Sequence, residues 1–271
     1  MRSNLALRVG AALVFVPAFA AAVWGGGWPL WMGTALIVGA GTGELFGLYR
    51  QKGIRPFLWP GVVMSVSLSI WSFRPALCRL DVLLVIFVTG TLSTALVQRR
   101  DGASLQDVAA TLFGVLYVGL LGSALLLVRN LPIPHAAPLA LTVLVSTWIM
   151  DAVAYFAGRW LGRTRPFVRV SPKKSLEGCL AGLLGAIGVV YLGAFWMENL
   201  LWSDILSIGL SVGVGGQVGD FSESLLKRDS GVKDASAIIP GHGGVLDRFD
   251  SALFAFPLVY AYLVFRYGVS S

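Results

Sequence analysis

Long apolar runs separated by short polar clusters make up nearly the whole chain. Runs of this length suit helices that cross a bilayer, because about 20 apolar residues span its hydrocarbon core. They predict spans at about 9–28, 29–48, 57–73, 80–98, 108–128, 136–158, 179–197, 203–222 and 250–267. No short, strictly alternating segments of the β-barrel kind are present in the sequence. The expected fold class is therefore all-α: a polytopic integral membrane protein with about nine transmembrane helices. Residues 1–271 read as a single transmembrane catalytic domain, with N-terminal helices over about 1–130 and catalytic helices and loops over about 136–271. Gly39, Gly43 and Gly47, then Gly209 and Gly213, then Gly215 and Gly219, repeat every four residues. Small residues at this spacing let helix backbones approach.

Composition agrees with the pattern. The chain is 56% hydrophobic and 13% charged, against about 25% charged in ordinary soluble domains. The net charge of +7 is explained by basic cytoplasmic loops, so nucleic acid is not an expected partner. With the N-terminus inside, seventeen of the 21 Lys and Arg fall on the cytoplasmic side. That bias predicts an N-in, C-out orientation in the cell (inner) membrane. Cys78 and Cys179 form neither a disulfide framework nor a metal spacing. No cleavable signal peptide is expected.

Against this oily background, 220–250 carries five Asp, one Glu, four Lys or Arg and a His. Charge is expensive near a bilayer and usually functional. Carboxylates suit a hard divalent cation. Basic side chains and a glycine-rich turn suit phosphate. Asp220, Glu223 and Lys227 share one helix face by their spacing. Asp247, Arg248 and Asp250 follow the turn Pro240-Gly241-His242-Gly243-Gly244. His242 is a candidate base or phosphate ligand, and Lys227, Arg228 and Lys233 are candidate phosphate contacts.

A second constellation lies at 151–178. Asp151, Tyr155 and Arg159 recur every four residues and form a polar stripe on a predicted span. The turn Ser171-Pro172-Lys173-Lys174-Ser175 leads into Glu177 and the next span. Both regions fall on the predicted cytoplasmic side, where nucleotides are. Glu44 is a further carboxylate near the membrane, with no partner evident in the sequence.

The 224–250 run includes Ser224, Lys227, Arg228, Lys233, Asp234 and I-P-G-H-G-G-V-L-D-R-F-D over 239–250. It closely resembles the C-terminal motif of phosphatidate cytidylyltransferases, or CDP-diacylglycerol synthases. The stretch D-x-x-A-Y-x-x-G-R with S-P-K-K-S-x-E-G, over 151–178, is similar to the same family, as are Gly219-Asp220 and Glu223-Ser224. The resemblance extends over the whole chain. It implies transfer of a cytidylyl group from CTP to phosphatidate, giving CDP-diacylglycerol and pyrophosphate. It further implies Mg²⁺ as cofactor, with a second metal ion as an option, and a site on the cytoplasmic face. The metal candidates are Asp220, Glu223, Asp247 and Asp250. Asp220, Lys227, Asp247 and Arg248 are the catalytic candidates. Asp151, Tyr155, Arg159, Ser171, Lys173, Lys174, Ser175, Glu177, Ser224, Arg228, Lys233, His242, Gly243 and Gly244 are the substrate-binding candidates. CTP, phosphatidate, membrane lipids and a second copy of the chain are the expected partners. The competing readings are a CTP-dependent lipid-alcohol kinase and an ion-coupled transporter. The transporter is disfavoured because charge gathers at one membrane face rather than at the midplane.

Overall fold

A computed structural model describes residues 2–98, 104–168, 170–198, 200–232, 236 and 243–268, with side chains from Leu13 onward. Among these residues the chain is helical and no β-strand forms. The helices are α1 (Arg2–Gly25), α2 (Gly27–Gln51), α3 (Leu58–Phe73), α4 (Leu80–Val97) and α5 (Leu105–Arg129). They continue with α6 (Ala136–Trp160), α7 (Leu176–Ala194), α8 (Trp202–Leu210), α9 (Gln217–Asp229), α10 (Leu246–Phe249) and α11 (Ala252–Tyr267). A π-helical turn at Ser211–Gly216 joins α8 to α9. Most predicted apolar segments coincide with helices to within a few residues, but α1 starts seven residues before the predicted 9–28 and the run predicted at 203–222 continues to Asp229. Among the described residues four helices, α4 to α7, are long and apolar enough to cross a membrane. α4 keeps little of itself buried and exposes Val82, Val85, Ile86, Leu92, Leu96 and Val97. An apolar surface of this extent on a helix of spanning length is what lipid contact requires.

Local signals set the helix ends. Ser104 and Asp107 form a capping box at the start of α5. Such a box satisfies backbone donors that the helix cannot. Ser175 caps α7 by accepting from the Gly178 N–H at 3.1 Å. Gly268 ends α11 in the left-handed region, at φ 62°.

The chain divides into two compact units. The first is Met1–Leu126 with Asp229–Arg248, and the second is Leu127–Arg228 with Phe249–Ser271. Residues 229–248 thus belong with the N-terminal helices. In the first unit α2 packs on α3, and Thr42 and Ser65 share a buried hydrogen bond of 2.8 Å. Phe46 is fully buried on α2. Its ring fills a slot left by two glycines: a Cβ on either Gly61 or Gly114 would lie 2.4 Å from it.

In the second unit α6 and α7 pack backbone to backbone. A Cβ on Gly178 would stand 2.7 Å from the Ala154 carbonyl oxygen, and one on Gly182 would stand 3.0 Å from that of Met150. The predicted repeats at 209/213 and 215/219 are also close contacts. Cβ atoms there would meet Ile187, Leu183, Leu258 and the Asp250 backbone at 2.4–2.7 Å. The 39/43/47 repeat behaves differently. Gly39 has ordinary contact with Val66, while nothing lies within 4 Å of a Cβ on Gly43 or Gly47.

Gly182→Ala is expected to destabilise the protein by about 1–3 kcal/mol through overpacking. Gly47→Ala should be neutral or stabilising, because alanine is the better helix former. Thermal unfolding of both variants in detergent checks the contrast, and equal melting temperatures would contradict the packing.

Candidate functional site

The last three turns of α6 present Asp151, Tyr155 and Arg159 on one face, as their four-residue spacing requires. The 161–175 loop then folds back beside them. Its backbone is pinned at several points. The Leu176 N–H donates to the Thr164 carbonyl at 2.9 Å, Ser171 N–H to Phe167 at 2.8 Å and Lys174 N–H to Ser171 at 3.1 Å. The Glu177 carboxylate accepts from the Thr164 N–H at 2.9 Å. Gly162 passes so close to Gly158 that a Cβ would sit 2.2 Å from its carbonyl oxygen.

α9 supplies the remaining wall. Gln217 donates to the carbonyls of Cys179 (2.9 Å) and Gly213 (2.7 Å), which ties α9 to α7. One turn later Asp220 forms an ion pair with Lys174. The Lys174 ammonium also lies 4.1 Å from the centroid of the Phe221 ring, a cation–π contact. Phe167 packs on the same ring at 4.4 Å. Lys174 is thereby held from two sides.

These elements enclose a cavity of about 500 Å³, within the range of small-molecule sites. Ten of its lining residues carry chemistry: Asp151, Tyr155, Arg159, Arg165, Ser171, Lys173, Lys174, Ser175, Gln217 and Asp220. Four cations face two carboxylates, which makes the cavity a receptor for anions. Behind it stand further acids. Ser251 Oγ donates to Asp151 at 3.3 Å, and the Ser251 N–H donates to Asp250 at 2.7 Å. Asp250 lies within electrostatic reach of Asp220, Glu223 and Asp151. Glu223 is fully buried and accepts from Lys227 Nζ at 2.5 Å. So much negative charge in one place favours a cation. Yet among the described residues no three His, Cys, Asp or Glu side chains converge as a preformed metal cage. Oxygen donors of this kind fit Mg²⁺, which commonly takes one or two carboxylates and completes its shell with phosphate oxygens and water.

The structure therefore gathers most of the predicted 151–175 residues, with Asp220, around one cavity. Glu223, Ser224, Lys227 and Asp250 belong to the same unit, and Ser224 Oγ donates to Asp220 at 3.4 Å. Arg228 is exposed at the end of α9. Glu177 does not line the cavity, and its carboxylate serves the loop backbone instead. Gly243, Gly244, Asp247 and Arg248 lie in the first unit. There Gly243 has φ 82°, and the Gly244 N–H donates to Asp247 Oδ2 at 2.8 Å. Lys233 and His242 lie outside the described residues. Sequence reasoning missed Gln217, Arg165, Cys179 and Ser251. Gln217 carried a usable signal: it is a polar residue in an apolar run, one helical turn before Asp220.

Apolar helices of spanning length and a basic, carboxylate-backed cavity define a membrane protein suited to phosphorylated compounds. The chain matches the cytidylyltransferase family over residues 6–266 and belongs to it. A phosphatidate cytidylyltransferase of Synechocystis is 34% identical over 270 residues, covering 88% of this chain and 89% of that protein. Those of Bacillus subtilis (33% over 236 residues, covering 84% and 87%) and Thermotoga maritima (37% over 188 residues, covering 67% and 68%) are similar too.

Glu177→Ala should release the 161–175 loop while leaving α6 and α7 folded. Limited trypsin digestion is expected to cut after Arg163 several-fold faster, since cleavage follows local opening. Equal cutting rates would show that Glu177 is not what pins the loop.

Proposed function

We propose that this chain is a phosphatidate cytidylyltransferase, converting CTP and phosphatidate to CDP-diacylglycerol and pyrophosphate. The observation that carries the reading is the anion-binding cavity of the second unit, built from Arg159, Arg165, Lys173 and Lys174 with Asp151 and Asp220. It occurs in a chain whose relatives along nearly its full length bear that activity as their name.

A phosphate oxygen of phosphatidate attacks the α-phosphorus of CTP, a new P–O bond forms, and the bond to pyrophosphate breaks. The lipid phosphate needs no strong base, because its second pKa is about 6 and it is largely dianionic at neutral pH. The obstacle is repulsion between two polyanions. Arg159, Arg165, Lys173 and Lys174 reduce it by neutralising phosphate charge and aligning the reactants. Lys174, already clamped by Asp220 and Phe221, is placed before substrate arrives and loses little freedom on binding. Asp151 and Tyr155 shape the polar wall, with Ser171 and Ser175 offering hydroxyls. Asp220 and Asp250, with Glu223, would hold Mg²⁺, which supplies Lewis-acid neutralisation of phosphate oxygens. Asp247 keeps the metal-ligand role, and Lys227, Arg228 and Arg248 the phosphate roles, that the motif resemblance gives them.

The wider arrangement belongs to the same proposal: about nine spans, N-in and C-out, in the cell membrane, with the site open to the cytosol and the chain acting as a homodimer. The bias of basic residues supports the orientation.

Purified protein given labelled CTP, phosphatidate and Mg²⁺ is expected to yield CDP-diacylglycerol, with loss on chelation and recovery on adding Mg²⁺. Phosphorylated lipid with CDP as the product would replace the reading with a kinase. Asp220→Asn should lower kcat at least about a hundredfold, or ~2.7 kcal/mol of barrier, with unchanged melting. Retention of a tenth of the activity removes Asp220 as an essential group. Cys179 lines the cavity. In a Cys78→Ser background, its alkylation by a maleimide should slow several-fold when CTP is bound; an unaffected rate takes the nucleotide out of this cavity.

A further inference from the structure

Glu44 is a buried carboxylate and the one acidic residue of α2. A buried charge of this kind must be compensated or it costs several kcal/mol. Its compensation is specific. Oε1 accepts from the Val245 N–H at 2.9 Å and from Ser236 Oγ at 2.5 Å, and Oε2 accepts from the Leu246 N–H at 2.7 Å. Val245 and Leu246 open α10, the short turn that carries Asp247 and Arg248. Their N–H groups have no intrahelical acceptor, as at every helix start. A capping residue normally comes from the adjacent chain. Here the cap comes from about 200 residues away in sequence.

The fit around the carboxylate is close. A Cβ on Gly244 would lie 2.7 Å from Glu44 Oε2 and 3.0 Å from Oε1, so the turn rests directly on the carboxylate. On the other side of that glycine, its N–H holds Asp247 Oδ2 at 2.8 Å. The Arg248 N–H closes the turn on the Val245 carbonyl at 3.0 Å. Glu44 itself stands outside the catalytic and substrate-binding candidates and reaches Asp247 and Arg248 only through this chain of contacts. Its effect is to set where Asp247 and Arg248 point.

We infer that Glu44 is a positioning residue: it caps the Gly243–Phe249 segment from α2 and thereby fixes the orientation of Asp247 and Arg248 for the reaction. Its catalytic consequence rests on the cytidylyltransferase reading, whereas its capping role does not. A carboxylate is required because both oxygens accept hydrogen bonds. In Glu44→Gln one position would become an NH₂ facing a backbone N–H or the Ser236 hydroxyl.

The test compares wild type with Glu44→Gln in two measurements. In hydrogen–deuterium exchange, the peptide covering 243–249 should exchange at least about tenfold faster in the variant, with α7 peptides unchanged. In the CTP and phosphatidate assay, kcat should fall by about tenfold or more, while KM for both substrates stays within about threefold and the melting temperature is kept. Unchanged exchange over 243–249 overturns the capping role. A kcat within threefold of wild type, or a loss that merely follows a lower melting temperature, overturns the positioning role. If wild type makes no CDP-diacylglycerol, the proposed activity falls, and the exchange result still decides the capping role. Should Glu44→Gln fail to fold, Ser236→Ala removes only one of the three bonds. Faster exchange over 243–249 is expected there as well, and its absence overturns the inference.

Discussion

The cavity depends on one contact, the direct approach of α6 and α7 at Gly178 and Gly182. With side chains between them the helices would stand farther apart. The stripe Asp151–Tyr155–Arg159 would then no longer face the start of α7 and the loop before it. Because the backbones meet, the 161–175 loop has to turn sharply, and Gly162 and the Ser175 cap are what the sharp turn needs. The polar residues of α6, the basic loop and α9 converge as a consequence of that approach. Packing by small residues, which is ordinary in membrane bundles, here decides the shape of a charged site.

Charge compensation is the second constraint. An apolar protein cannot leave buried carboxylates alone. Each acid is met in its own way: Asp220 by Lys174, Glu223 by Lys227, Glu44 by backbone N–H groups and a serine, and Asp204 by Tyr262 and Arg266. Asp204 shows what a purely structural solution looks like. Its carboxylate takes Tyr262 at 2.5 Å, Arg266 at 3.0 Å and the Leu201 N–H at 2.8 Å, which locks α8 to α11. The acids near the cavity differ in crowding one another, which keeps a demand for positive charge that phosphate-bound cations can meet.

Much of this was legible before any coordinates. Apolar run length set the helices, because hydrocarbon thickness constrains it strongly. The four-residue spacing of Asp151, Tyr155 and Arg159 foretold a shared face, and Asp220 proved to line the same cavity. Glu177 shows the limit: its type and place suggested substrate contact, but its carboxylate is consumed by the Thr164 N–H, a partner that no periodicity reveals. Glu44 shows it from the other side. Its acceptors and donors are joined across about 200 residues, and long-range pairing of that kind has no local signature. The glycine repeat at 39/43/47 has the same spacing as those at 209/213 and 215/219. Only the latter two are in close contact at every glycine, whereas Gly43 and Gly47 have nothing within 4 Å, since spacing reports a capacity for close approach and not the presence of a partner.

The seating of Phe46 between Gly61 and Gly114 has a bearing on how such a chain can drift over generations. Three residues on three helices share a single volume, so neither glycine can grow while Phe46 keeps its ring. A methyl at either glycine would have to be preceded by a smaller residue at 46, and the intermediate would carry a void on α2 only two positions from Glu44. Related chains with a larger residue at 61 or 114 should therefore carry a smaller one at 46, a covariation imposed by volume alone.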